Sequence, residues 1–234
     1  MRVEKIGNAT LYLADCMDIM RDMPDKAFDL AIVDPPYGIG GSRATGTYAR
    51  EATGYTAKTD KKWDGSIPEN GYFIELRRVS KNQIIWGGNY MARLLPVSMG
   101  WVCWYKTDEV KDRDCSEIEL AWTSFDCAAR HFEEKPFIRN GTRIHPTQKP
   151  VALYKWLLSR YAKPGDTILD THGGSGSSVI ACLDMGYSIT WIEKDEDYYN
   201  AALKRIKDFA AQPKLPMDDT PEPVEQWLGF EEEL

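Results

Sequence analysis

Asp34-Pro35-Pro36-Tyr37 follows directly on the apolar run Phe28-Asp29-Leu30-Ala31-Ile32-Val33. A carboxylate, two rigid residues and an aromatic ring at the end of a buried strand make a place to hold a flat, amino-bearing ring. Proline fixes φ and biases the preceding residue toward extended backbone. Asp34 and Pro35 are therefore expected to be extended, with the Asp34 side chain and the Pro35 carbonyl projecting the same way. Two acceptors then flank one stacking face. A strand running into a Pro-Pro loop with an incidental Asp and Tyr is the plain alternative.

A second set begins at Thr167-Ile168-Leu169-Asp170 and turns through Thr171-His172-Gly173-Gly174-Ser175-Gly176 into the apolar helical stretch Val179-Ile180-Ala181-Cys182-Leu183. Glycines at a strand-to-helix turn allow the tight backbone and close approach that bring N–H groups to a ligand. The loop lacks the Gly-Lys-Ser/Thr ending of a P-loop, and Gly174-x-Gly176 is short of the dinucleotide fingerprint, so neither NTP nor NAD is favoured. The next strand, Gly186 to Ile192, ends at Glu193. An acidic residue there, about 20 residues past the glycines, is placed to grip ribose hydroxyls; a solvated strand end is the alternative.

These residues must be carried by a sheet. In a doubly wound α/β fold, ligands bind outside the carboxyl ends of the strands at the switch point, so Asp34 and Asp170 can be neighbours in space. Pro150 to Leu158 has apolar residues at helical spacing behind a proline, which puts His145 to Lys149 in the loop entering that helix. Asn82 to Trp86, Trp101 to Tyr105 and Ile118 to Trp122 read as further strands with core tryptophans. Gly87-Gly88-Asn89-Tyr90 is either part of a substrate cleft or a turn.

The 234 residues, 43% hydrophobic, suffice for one substantial core. Five cysteines without a C-x-x-C pair favour neither a disulfide framework nor a zinc site. The first 20 residues have no signal-peptide core and no stretch is long enough to span a bilayer, which points to the cytoplasm. The net charge is −7, but residues 217–234 alone hold seven carboxylates and no Lys or Arg, so the body is neutral. We expect a catalytic domain over 1–212 and an acidic tail over 213–234, disordered apart from Trp227-Leu228-Gly229-Phe230. Within the body, 38–62 forms a basic loop with Arg43, Arg50, Lys58, Lys61 and Lys62, suited to phosphate contact. A second basic region comprises Arg130, Lys135, Arg139, Arg143 and Lys149.

Asp34-Pro35-Pro36-Tyr37, then His145-Pro146-Thr147-Gln148-Lys149-Pro150, then Asp170 to Ser178 occur in the order of the β group of S-adenosylmethionine-dependent DNA amino methyltransferases. The chain resembles a small, phage-type member acting on adenine N6 or cytosine N4. With Leu13-Ala14-Asp15-Cys16, the resemblance covers roughly residues 10–205. It departs in one place, where Thr171 and His172 replace the family's Pro and Phe. The resemblance implies the class I methyltransferase fold, a mixed doubly wound sheet with permuted motif order. It also implies a cofactor site of Asp15, Cys16, His145, Thr147, Lys149, Asp170, His172, Gly174, Ser175, Gly176 and Glu193, and DNA as partner.

On this reading the Asp34 carboxylate and the Pro35 carbonyl accept the N–H groups of an exocyclic amine and turn its lone pair to the methyl donor. No metal and no covalent enzyme intermediate are required. Pro36 shapes the turn and Tyr37 stacks on the flipped base. With little room for a recognition region, specificity is short, relaxed or dependent on a homodimer. Adenine N6 is preferred to cytosine N4 because Asp heads the tetrapeptide. Methylation of RNA or of a glutamine amide, and a non-catalytic DNA-binding role, are the remaining readings.

Overall fold

The computed structural model describes residues 1–40, 64–107, 116–135 and 143–213. The basic-loop residues Arg43, Arg50, Lys58, Lys61 and Lys62, and the tail from 214 on, lie outside the described residues.

Alternating burial along β3 (Phe28–Val33) shows how the core is organised. Leu30 and Ile32 join one buried cluster, and Ala31 and Val33 join another. Side chains of successive strand residues point to opposite faces, so this strand is covered on both sides. It lies in a nine-stranded sheet formed with β1 (Arg2–Ile6), β2 (Ala9–Leu13), β4 (Ser80–Trp86), β5 (Trp101–Tyr105), β6 (Ile118–Thr123), β7 (Arg130–Glu133), β8 (Thr167–Asp170) and β9 (Ser188–Glu193). Among the described residues the order is β1-β2-β9-β8-β3-β4-β6-β5-β7.

The five central strands β2, β9, β8, β3 and β4 are parallel, while β1 and β6 pair antiparallel with their neighbours. Helix α1 (Cys16–Arg21) and helix α2 (Asn70–Val79) contribute to one cluster. Helices α3 (Val151–Tyr161), α4 (Ser177–Met185) and α5 (Glu196–Ala210) contribute to the other. The sheet is thus doubly wound and mixed, as expected. Trp86, Trp104 and Trp122 are buried. The strands β1, β2 and β7 were not among the expected elements.

From β3 the chain passes through α2 to β4, and from β8 through α4 to β9 on the other side. The switch point therefore lies between β3 and β8, which pair Leu30 with Ile168 and Ala31 with Leu169. Ligands in such sheets bind outside the strand ends at this place. The opposite ends of the two strands are tied by Asp29, whose Oδ2 accepts from the Thr167 amide and hydroxyl, both at 2.9 Å, while Oδ1 pairs with Lys81 at 2.6 Å.

The Lys81 bond, helped by the Thr167 amide, holds the Asp29 carboxyl at about 2 against an ordinary 3.8. A depressed carboxyl stabilises the fold above its unfolded pKa and loses that contribution as the pH falls through its folded one. Asp29→Asn should lower the melting temperature by a few degrees at pH 7, since the pair is partly exposed. The gap to the parent should close between about pH 4 and pH 2. Melts across that range check it; a constant gap would mean that the charge is not what ties the strands.

Candidate active site

The loop after β8 owes its shape to contacts that exclude side chains. A Cβ on Gly173 would lie 1.9 Å from the Trp191 ring of β9, so the loop can lie flat on that tryptophan only with glycine there. Gly174 has φ +51 and Gly176 φ +71, left-handed backbone that suits glycine. Gly176 caps α4, and a Cβ there would meet Ile206 of α5 at 2.8 Å. Asp170 lies beneath the loop. Its carboxylate accepts from the Ser178 hydroxyl at 2.5 Å and the His172 amide at 3.1 Å. Burial pushes its carboxyl up to about 7 against those two bonds.

Above the loop is a pocket of about 230 Å³ walled by Asp15, Cys16, Asp34, Pro36, His145, Thr147, Gln148, Lys149, His172, Gly174, Ser175 and Glu193, among others. Nine of the eleven expected cofactor positions are thus in its wall. Asp170 and Gly176 are not; they shape the loop from behind. Asp15 caps α1 through a bond from the Met17 amide at 2.8 Å. Burial raises the Cys16 thiol to about 12, with the Asp15 carboxylate adding to the effect, so it stays a neutral, unreactive group. Glu193 accepts from the Gly174 and Asp195 amides, 2.8 Å each, one on each oxygen. A carboxylate has about four acceptor sites, so capacity remains for a ligand hydroxyl.

Both pocket histidines are neutral, each held at about 3 by burial, aided by Lys149 and Arg143 at His145 and by Lys194 at His172. His145 packs edge-on against Tyr198 and His172 against Tyr72. Gln148 was not among the expected contacts. It is 5% exposed, its Oε1 accepts from the Ile144 amide at 3.1 Å, and its Nε2 is buried without a partner.

Asp34 stands on the pocket wall, and both of its oxygens are engaged. Oδ1 accepts from the Tyr37 hydroxyl at 2.6 Å and Oδ2 pairs with the Lys149 ammonium at 2.6 Å. Lys149 is also 3.1 Å from Glu119 of β6, and Glu119 pairs with Lys106 at 2.6 Å. Lys149 lines the pocket, but its ammonium is buried and committed to this cluster. Its charge is therefore not available to the second basic region in which the sequence grouped it. Burial raises the Asp34 carboxyl, an effect Lys149 offsets and Glu119 reinforces. At Glu119 two lysines overturn burial and hold the carboxyl at about 2. Asp34 is the more basic of the two.

The catalytic turn is held by residues that sequence reasoning missed. Asp64, 5% exposed, accepts from the Tyr37 amide at 2.6 Å and the Gly38 amide at 2.9 Å. Pro35 is buried. The Tyr37 ring stacks on Tyr90 with centroids 5.3 Å apart and lies against Gly87. The run Gly87 to Tyr90 thus packs on the tetrapeptide and does not wall the pocket. Tyr37 itself is set back from the pocket wall beside Asp34. No His/Cys/Asp/Glu group among the described residues is arranged to hold a metal, and no described helix is long and apolar enough to cross a membrane.

A strand-end carboxylate, a glycine loop and an acidic strand end thus wall one pocket at the switch of the sheet. Residues 96–204 match the N6/N4 methyltransferase family model, described as DNA methylase. A putative methylase, YubD of Escherichia coli K12, is 26% identical over 212 residues, covering 82% of this chain and 87% of YubD. Among solved structures, the M1.HpyAVI–SAM complex superposes with TM-score 0.57 at 20% identity, over 85% of this chain and 98% of that one. The cytosine-N4-specific PvuII DNA methyltransferase does so with TM-score 0.57 at 12% identity, over 87% and 91%. Just under half of the chain thus matches the N6/N4 DNA methyltransferase family model, and the order of its motifs resembles that of the β group.

Gly87 has φ +69, and a Cβ there would come within 2.2 Å of the Tyr37 ring. Gly87→Ala should cost about 1–3 kcal/mol in denaturant unfolding, from backbone strain and the displaced ring. An unchanged midpoint would mean that the ring does not pack on Gly87.

Proposed function

We propose that the chain transfers a methyl group from S-adenosylmethionine to the exocyclic N6 amine of adenine in DNA. One observation carries the reading: Asp34 stands on the wall of the same pocket as Glu193 and the glycine loop. An amine bound by that carboxylate is thereby brought to a nucleoside-sized site. The residues suit the cofactor. Glu193 retains acceptor capacity for ribose hydroxyls, Gly174 has no neighbour within 3.6 Å of where a side chain would start, and Gln148 Nε2 is a buried donor without a partner, suited to a carboxylate.

When bound, the cofactor supplies a methyl group on a sulfonium, and the chain's own residues do the rest by positioning. The exocyclic amine is a poor nucleophile because its lone pair is delocalised into the ring. The Asp34 carboxylate accepts an amine N–H, with the Pro35 carbonyl a second acceptor, so that the lone pair turns toward the pocket. Fixed acceptors in a site sheltered from water need no reorganisation during the reaction. A base inside a duplex cannot reach Asp34, so it enters flipped out of the stack. For Tyr37 to stack on it, Tyr90, 45% exposed, gives up its place on the Tyr37 ring.

Cytosine N4 is the second reading, favoured by the likeness to the cytosine-N4-specific PvuII enzyme. The purified protein, labelled S-adenosylmethionine and plasmid DNA decide between them once the DNA is digested to nucleosides. Labelled N6-methyl-2′-deoxyadenosine is expected; N4-methyl-2′-deoxycytidine would move the assignment, and unlabelled DNA would remove it. Asp34→Ala should lose on the order of 10²-fold or more in rate while keeping cofactor binding. In calorimetry Gln148→Leu should weaken cofactor binding on the order of tenfold through loss of one donor. Unchanged affinity would exclude Gln148 as a contact.

A further inference from the structure

Each oxygen of the Asp34 carboxylate already holds one partner, and the stronger of the two is a cation. One oxygen holds the Tyr37 hydroxyl and the other holds Lys149. Lys149 is 3% exposed, enclosed by the Trp86 and Tyr37 rings, and a buried ammonium cannot be left without a counter-charge. An amine that takes the place of the ammonium on Oδ2 sends Lys149 to another counter-charge. Glu119 Oε2 is already 3.1 Å from its Nζ, while the other Glu119 oxygen is anchored by Lys106 at 2.6 Å. The ammonium thus exchanges one carboxylate for another that it already touches. Two lysines and two carboxylates keep the cluster neutral as the ammonium moves.

We infer that Glu119 is a positioning residue for methyl transfer: it takes the Lys149 ammonium when the target amine displaces it from Asp34. The inference rests on the reading of the chain as an amino methyltransferase. In the step itself the amine lone pair forms the N–C bond, and the S–C electron pair stays on sulfur, which becomes a neutral thioether. The nitrogen then carries one proton too many, and that proton passes to Asp34 and on to solvent as product leaves. Asp34 without Lys149 is the better acceptor for both the N–H bond and the proton. Besides Lys149, the groups acting on Asp34 are Tyr37 and Glu119, with Asp170, Tyr72 and Tyr154 further off. None of these is a second cation that would hold Asp34 once Lys149 has left.

The isosteric Glu119→Gln removes the charge and leaves an acceptor for only one of the two lysines, since its amide nitrogen can only donate. It should lower kcat on the order of tenfold, because Lys149 then stays on Asp34. Cofactor affinity should be unchanged, since Glu119 is outside the pocket wall. A negative neighbour raises a carboxyl and a positive one lowers it. The acid limb of the kcat–pH profile should therefore move to lower pH in Glu119→Gln and to higher pH in Lys149→Met. Glu119→Asp, which keeps the charge, should restore part of kcat and the parent profile.

A merely structural Glu119 would lower the melting temperature and leave the acid limb in place. An active parent with Glu119→Gln unaltered in kcat and profile overturns this inference alone. A parent that labels no DNA overturns the functional reading, and this inference with it. Should Lys149→Met fail to fold, the two Glu119 variants decide the matter.

Discussion

The parallel pairing of β3 with β8 is the constraint on which the site depends. It joins strands whose ends, Asp34 and Asp170, are 136 positions apart in the chain. No local preference could bring them together. What does so is the need of two apolar strands, each buried on both faces, to satisfy their backbone groups against one another. Once they pair, the ends at Asp34 and Asp170 open at the switch of the sheet, and two loops of different chemistry share one pocket. The Asp29–Thr167 contact ties the far ends, so the register is held at both extremities.

Asp34 and Asp170 end neighbouring strands but have opposite assignments. Asp170 accepts from the Ser178 hydroxyl and the His172 amide, which fold the glycine loop around it. Asp34 faces the pocket with its charge balanced by Lys149 from a distant loop. A buried carboxylate is tolerated only when it is paired or well hydrogen-bonded. The protein meets that condition with backbone and hydroxyl donors at one strand end and with a displaceable cation at the other. Structural and chemical roles are separated in that way.

Much of the site could be read in the sequence because its parts are local. Strand-then-Pro-Pro-Tyr, three glycines at a strand-to-helix turn, and an acid at the next strand end each carry their meaning within a dozen residues. The helix behind Pro150 and the three tryptophan-bearing strands were legible by the same kind of periodicity. What escaped was non-local. Asp64 is an ordinary Trp-Asp-Gly in the chain, and only the fold turns its carboxylate onto the Tyr37 and Gly38 amides. Glu119 alternates within a strand as a solvated residue would, and Lys106 follows a strand end. Their pairing with Lys149 depends on β4, β5 and β6 lying side by side. Lys149 falls within the second basic region of the sequence because sequence charge says nothing about depth. Gln148, between Thr147 and Lys149, carries no charge, and only the fold shows its amide buried against the pocket.

The contact of Gly173 with Trp191 bears on how this chain can diverge. The indole fills the space where any side chain at 173 would begin, so the two positions share one fixed volume. A larger residue in the loop is admissible only after the tryptophan of β9 has become small, and a smaller residue at 191 leaves a void under the loop until 173 grows into it. Either change made first passes through a damaged intermediate. Drift at these two positions should therefore be correlated and rare, with the pair inherited as a unit while the exposed ends of the same elements vary freely.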